Sequence, residues 1–177
     1  MVRFTGDWYA DLYILEELLR TIEYKTATAR MQKYKIKQSE GGSVFMGYTW
    51  RGYLSPSKQR EYCCLKKKFK TKLLSERPDL WEALEDFRDH HFPLFQFTGI
   101  QFNYNYKIGP HRDNANVGQS VLVCCGDYEG GETCVDIDGE IIKLDARLRP
   151  VVIDGSKHTH WVENFSGERF SVVFFRD

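Results

Sequence analysis

Three side chains of this sequence have the types and spacing to hold a metal ion: His111, Asp113 and His160. On an extended segment side chains repeat every two residues, so His111 and Asp113 face the same way. A histidine from a distant strand then completes one triangular face of an octahedron. Two imidazoles and a carboxylate leave the opposite positions open, and the pairing of hard and borderline donors suits Fe(II). Arg169 follows His160 by nine residues, with Ser166-Gly167 between them. A turn there predicts that the next strand returns beside the strand of His160 and carries Arg169 into the same cavity. A buried arginine needs an anionic partner, and its planar fork suits a carboxylate. Ser171, two residues on, shares that face and adds a hydroxyl. Two rivals stand beside these choices. His158 lies on the same strand face as His160, but the nine-residue interval to Arg169 favours His160. Arg149 precedes Pro150 in what reads as a loop. The bland alternative is that His111 and Asp113 cap a turn after Gly109-Pro110 while His160 packs in a sheet.

The elements that must position these residues differ between the two halves. Residues 8–25 predict a helix, with Leu12, Leu15, Leu18, Leu19 and Ile22 near helical spacing. Residues 30–37 alternate basic and apolar, as a strand does, and 38–43 read as a turn around Gly41-Gly42. Residues 44–50 predict an aromatic-rich strand. Pro78 opens a second helix running to about residue 90, which leaves His90 and His91 beside its C-terminal dipole. Short β-type runs follow at 100–106, 120–125, 132–137, 140–144, 150–153 and 169–176, divided by glycine-bearing turns. The fold class expected is α+β. Residues 1–177 form one domain, with a helical and mixed support over about 1–98 and a β-sandwich or barrel over about 99–177.

Composition narrows the classes. The chain has 177 residues with 25 basic and 25 acidic side chains, so its formal net charge is zero, which excludes a uniformly basic nucleic-acid binder. Aromatic residues make up 15%, enough to build a core and to exclude wholesale disorder. No apolar run is long enough for a transmembrane helix, and the first residues lack the apolar core of a signal peptide. Five cysteines, none in C-x-x-C spacing, argue against a zinc ribbon and predict reduced, buried thiols in an intracellular compartment, cytoplasm or nucleus. The zero sum hides a split. Residues 58–72 hold seven basic side chains against Glu61, whereas 127–177 hold eleven acids against six bases.

His111-Arg112-Asp113, then His160, then Arg169-Phe170-Ser171 resembles the 2-oxoglutarate/Fe(II)-dependent dioxygenase superfamily over roughly residues 97–177. The resemblance implies a double-stranded β-helix (jelly roll) core with supporting N-terminal helices. It implies iron on His111, Asp113 and His160, and the distal carboxylate of 2-oxoglutarate on Arg169 and Ser171. It implies O2 as the second co-substrate, with ascorbate as a reductant. The presence of Asp113 implies hydroxylation, not halogenation. Glu129-Gly130-Gly131-Glu132 is similar to a glycine turn of many members. Asn116-x-Gly118-x-Ser120, the segment from Phe97 to Asn103 and the Gly-Glu-Arg-Phe-Ser ending resemble the TET/JBP-like branch, which oxidises the 5-methyl group of pyrimidines in nucleic acid. A flipped or single-stranded base would then be the substrate. The alternative is a protein side chain or free amino acid, as in prolyl-hydroxylase-like relatives.

Further candidates follow from position. In 101–106, one face carries Gln101, Asn103 and Asn105 and the other Phe102, Tyr104 and Tyr106. The superfamily often takes a polar contact to 2-oxoglutarate from this strand, so Asn103 and Tyr104 are candidates, with packing the alternative. Asn114, Asn116 and Ser120 either satisfy turn backbone groups or line a substrate pocket. Lys66, Lys67 and Lys68 are candidate phosphate contacts to DNA or RNA, or simply a solvated face. Tyr48, Trp50 and Tyr53 either stack a base or pack in the core. The oligomeric state is not legible.

Overall fold

The computed structural model describes residues 2–25, 41–49 and 68–177. Helix α1 spans Trp8–Arg20; the Asp7 side chain accepts a hydrogen bond from the Ala10 N–H at 2.8 Å and starts it. It stops five residues short of the expected end, because Thr21 turns back on Leu18 through both its N–H and its hydroxyl. A short helix α2, Lys72–Glu76, is capped by Thr71. Helix α3, Pro78–His91, begins at the expected proline.

The strands are β1 Gly42–Thr49, β2 Phe69–Lys70, β3 Gly99–Tyr104, β4 Ser120–Cys125, β5 Tyr128–Gly130, β6 Thr133–Ile137, β7 Glu140–Leu144, β8 Val151–Ile153, β9 Thr159–Val162, β10 Phe165–Gly167 and β11 Phe170–Phe175. A six-stranded sheet has the order β2-β1-β3-β11-β4-β8. A three-stranded sheet, β7-β6-β9, and the pair β10-β5 make a second layer. Every pairing is antiparallel. One face of the large sheet, carrying Ile100, Phe102, Val121, Val123, Phe170, Val172 and Phe174, packs on Leu12, Leu15, Leu19, Leu80, Leu84 and Phe87 of the helices. Its other face, with Leu122, Cys124 and Val173, packs on Val135, Tyr128 and Phe165 of the second layer. The expected α+β class is what the elements form.

Two local expectations change, and a third falls on residues outside the description. Residues 41–43 do not turn. The strand begins at Gly42, and the glycines permit close approach: a Cβ on Gly41 would sit 1.8 Å from the Tyr104 carbonyl. The strand and turn expected over 30–40 lie outside the described residues, as do Trp50, Tyr53, Cys63 and Cys64. Finally, β9 and β11 are not a hairpin. Residues 165–167 are themselves a strand paired with β5, and the chain then crosses to the large sheet, where β11 lies between β3 and β4. Arg169 thus leads into a strand of the large sheet, in the layer opposite His160, not into a strand neighbouring β9.

Candidate metal centre

His111 and His160 face each other as an antiparallel bridge. Each N–H donates to the other's carbonyl at 3.0 Å, which sets both rings on one side, 4.2 Å between centroids. Asp113 is placed by its N–H donating to the Gly155 carbonyl at 2.8 Å. Its Oδ1 lies 3.6 Å from His111 Nε2 and its Oδ2 3.5 Å from His160 Nε2. Neighbouring ligands of an octahedron with ~2.1 Å bonds are about 3 Å apart, so the set needs only a small closure. The tautomers follow from the other ring nitrogens. His111 Nδ1 is 2.9 Å from the Gly109 carbonyl, and His160 Nδ1 is 3.1 Å from the His158 carbonyl. A carbonyl only accepts, so each Nδ1 carries the proton and each Nε2 offers its lone pair to the shared point. Both histidines are buried. The rival His158 contributes only this carbonyl.

The three ligand atoms open into a cavity between the layers. Gln101 and Asn103 of β3, Ser120 of β4, and Ser171, Val173 and Phe175 of β11 form one wall; Thr133, His160 and Val162 form the other. On the first wall Gln101 Nε2 donates to Ser43 Oγ at 2.7 Å, Ser43 Oγ to Asn103 Oδ1 at 2.8 Å, and Asn103 Nδ2 to Ser171 Oγ at 3.1 Å. Asn103 and Ser171 are directly paired across β3 and β11, which is why their side chains meet. Ser43 and Gln101 complete this chain, and a single sequence gives no signal for the register that joins them.

Arg169 lies deeper, 2% exposed, its guanidinium against the Tyr128 and Phe165 rings and its Nη2 3.1 Å from Cys124 Sγ. Burial pushes the Cys124 thiol up against the opposing pull of Arg169, so this contact is to a neutral group. Nε has no hydrogen-bond partner, and among the described residues no carboxylate forms an ion pair with the guanidinium within 4 Å, although Asp145 feels its charge. Gly131 makes room for it: a Cβ there would sit 3.0 Å from Nε. A buried cation in this state fits an incoming carboxylate. Arg149, its rival, is exposed.

Several candidates fall elsewhere. Tyr104 faces the helices: its ring packs on Phe170 and Tyr24, and its hydroxyl donates to Glu168 at 3.1 Å. Tyr106 lines the cavity in its place, because Asn105 takes a positive φ of 45° and reverses the alternation. Asn116 and Ser120 line the cavity, joined at 3.4 Å, whereas Asn114 is exposed outside it. Lys66 and Lys67 lie outside the described residues. Lys68 is engaged by the last residue: its Nζ meets Asp177 Oδ1 at 2.9 Å and the Asp177 carbonyl at 2.5 Å. His91 Nε2 meets the fully buried Asp11 at 2.9 Å and ties α3 to α1, well away from the cavity. Cys124, Cys125 and Cys134 are free and buried, as expected.

No family model matches the chain, and no curated protein does. Solved structures do. A 2OG-Fe(II) oxygenase family oxidoreductase from Burkholderia pseudomallei is 18% identical, over 94% of this chain and 78% of that one, with a TM-score of 0.55. NgTET1 in complex with 5mC DNA is 14% identical, over 93% and 67%, at 0.52. A Pseudomonas putida prolyl-4-hydroxylase is 16% identical, over 94% and 86%, at 0.50. What is shared is the fold. It is the fold of 2OG-Fe(II) oxygenases, and the His-Asp-His set of this chain stands inside it. Among the described residues no helix is long and apolar enough to cross a membrane.

Proposed function

We propose that this chain is an Fe(II)- and 2-oxoglutarate-dependent dioxygenase that hydroxylates a C–H bond, its two facing layers forming a double-stranded β-helix. One observation carries the reading: two buried Nε2 lone pairs and a carboxylate converge on a cavity, and a buried guanidinium whose Nε has no hydrogen-bond partner stands two residues before Ser171, a wall residue of that cavity. His111, Asp113 and His160 hold the metal. Arg169 and Ser171, with Asn103 bracing Ser171, hold the distal carboxylate of 2-oxoglutarate. When bound, iron and 2-oxoglutarate supply the oxidation, in which O2 is split, 2-oxoglutarate leaves as succinate and CO2, and one oxygen atom enters the substrate; ascorbate would serve as reductant.

The chain's own residues do the rest. The Gly109 and His158 carbonyls hold the imidazole protons on Nδ1, keeping Nε2 a ligand. Asp113 supplies the negative charge that favours a divalent ion. The apolar walls at Leu122, Ile153, Val162 and Val173 limit water beside the reacting centre.

For substrate we propose a 5-methylpyrimidine base in nucleic acid, with the basic run of residues 58–72 as the backbone contact. Its support is the charge split and the motif resemblance. The engagement of Lys68 by Asp177 removes one cation from that run and favours keeping a second reading, hydroxylation of a protein side chain or free amino acid. The test is succinate release with Fe(II) and 2-oxoglutarate against methylated DNA, unmodified DNA, RNA, peptides and amino acids. Methylated DNA should stimulate release, with a steep salt dependence lost in K66E/K67E. Stimulation by a peptide or amino acid, indifferent to K66E/K67E, overturns the nucleic-acid substrate. No succinate under any condition overturns the dioxygenase reading.

A further inference from the structure

We infer that β7 is the edge at which two copies of this chain join, antiparallel and with Ile142 on the two-fold axis, turning two three-stranded sheets into one of six strands.

β7 is the outer strand of the order β7-β6-β9, and its outer edge pairs with nothing among the described residues. Glu140, Ile141, Ile142 and Lys143 are all exposed along it. Ile137, Ile141 and Ile142 place three exposed isoleucines on this one hairpin, Ile141 at 57%. Open edges are ordinarily blunted by proline, a bulge or an inward charge, because they invite another strand. β7 has no proline, and its five residues pair with β6 without a bulge.

The register decides which peptide groups are open. His160 exchanges its N–H and carbonyl with His111, so its peptide groups point away from β6. Val135, opposite His160 on β6, therefore turns its own toward β7 and bonds Ile142. Alternation then directs the N–H and carbonyl of Ile141 and of Lys143 outward. The turn agrees. Asp138 and Gly139 both take positive φ, 54° and 91°, as a two-residue hairpin turn closed by the pair Ile137 and Glu140 requires.

An axis through Ile142 sets Ile141 opposite the partner's Lys143, and Lys143 opposite the partner's Ile141. Every outward peptide group of both strands is then bonded. An axis through Ile141 would instead set Lys143 against the partner's Gly139, inside the turn. The side chains agree with the first choice. On the face shared with Val135, Ile142 meets the partner's Ile142 as a close, non-hydrogen-bonded pair. On the other face, the partner's Lys143 stands opposite Ile141, whose neighbour on β6 is Asp136. Adjacent strands are about 4.8 Å apart, so the ammonium reaches over Ile141 toward the Asp136 carboxylate. Lys143 now rests on Glu163 at 3.5 Å, an exposed contact that holds it weakly. The charge match across the seam and the closed set of peptide bonds commit this edge to a second copy.

Sedimentation equilibrium on the full chain, over about 1–300 µM as suits a small interface, should fit a monomer–dimer equilibrium. I142K sets like charges on the axis and should weaken the dimer by more than about tenfold. Its circular dichroism should match wild type, because the site is exposed. Cysteine pairing reads the register. Opposed Cα atoms of a non-hydrogen-bonded pair are about 4.5 Å apart, within disulfide reach. Under mild oxidant I142C should cross-link to a dimer. I141C, whose two copies lie two residues out of register, should not, and wild type controls for the native cysteines. A wild type that stays monomeric throughout overturns the inference. A dimer that I142K leaves unchanged does so too, because the contact then lies elsewhere. Cross-linking no faster in I142C than in I141C refutes the axis.

Discussion

Gly155 is the residue on which the spacing of the proposed metal ligands depends. A Cβ added there would lie 2.8 Å from His160 Cε1, 3.4 Å from His160 Nε2 and 3.3 Å from Asp113 Oδ2. Carbon atoms rest about 3.5–4.0 Å apart, so in G155A the imidazole must retreat by roughly 0.7–1.2 Å. The ring has little freedom to do so. Its Nδ1 is tied to the His158 carbonyl, and its backbone is locked to His111 by two hydrogen bonds. Its Nε2 would move away from a shared point that it now approaches with Asp113 Oδ2 3.5 Å distant. Displacements of about 1 Å at a reacting centre cost on the order of a hundredfold in rate, and losing the support of a ligand costs roughly 10–100-fold in metal affinity. The fold should survive. Overpacking costs about 1–3 kcal/mol, which in a chain of this size lowers Tm by roughly 2–12 °C. The assay is anaerobic Co(II) titration followed by visible absorption, on G155A and on G139A. Gly139 also has no side chain and takes φ +91°, but nothing lies within 4 Å of its added Cβ. G139A should keep wild-type metal affinity and G155A should lose at least about tenfold. A G155A protein that binds Co(II) as tightly as wild type would refute the spacing argument.

Three further outcomes are expected. In R169M the ligand-free protein should be as stable as wild type or more so, by up to about 4 kcal/mol, because an unpaired buried cation is replaced by an apolar chain; differential scanning fluorimetry should also show that 2-oxoglutarate no longer raises Tm, and a retained shift counts against the carboxylate role. Y104F should lose about 0.5–1.5 kcal/mol of stability with its bond to Glu168 and leave 2-oxoglutarate affinity unchanged, whereas weakened affinity would return Tyr104 to the cavity. Asp11 gives a pH dependence: burial pushes its carboxyl up, but hydrogen bonds from the Thr5 N–H and hydroxyl, the Gly6 N–H and His91 outweigh it and hold the pKa below the ordinary 3.8. A depressed folded pKa stabilises above the unfolded value and is lost as pH falls through the folded one. In urea titrations D11N should therefore cost about 1.5–3 kcal/mol at pH 7, and the gap should narrow steadily below pH ~4; a gap independent of pH would assign the cost to packing alone.

The clustering of the candidate ligands His111, Asp113 and His160 was legible because its geometry is local. His-x-Asp fixes two donors within one stretch of backbone, and His160 needs only to share the ladder rung of His111. Arg169 and Ser171 were legible as a pair for the same reason, being two residues apart on one strand face. The route by which their strand reaches the cavity was not. A short segment, 165–167, looks like a turn because it contains Ser-Gly, yet its backbone pairs with β5, and that pairing is a long-range event. Helix α1 was overextended because leucine periodicity continues through Ile22, while Thr21 can satisfy the end of the helix and release Ile22 to the core. The Ser43-Gln101-Asn103 chain depends on the register of β1 against β3, which no local pattern records. Lys68 belonged to a run of like charges in sequence, and its partner is the last residue of the chain.

The exchange of Tyr104 for Tyr106 has a single cause, and that cause also places Arg169. Strict alternation from Phe102 would put Asn105 in the cavity and Tyr106 against the helices. Asn105 breaks it by entering the left-handed region, which costs most residues about 1–2 kcal/mol but is least unfavourable for asparagine and glycine. The same asparagine then closes the end of the β3–β11 ladder. Its N–H donates to the Arg169 carbonyl at 2.8 Å, and its Oδ1 accepts the Arg169 N–H at 2.8 Å. Glycine would supply the backbone angle but not the acceptor, and would leave a part-buried N–H orphaned where Arg169 departs from the sheet. Asparagine satisfies both demands. The histidine pair and the arginine are therefore set by different devices: the histidines by a symmetric backbone exchange between them, the arginine by one side chain that completes the ladder where the backbone has turned away.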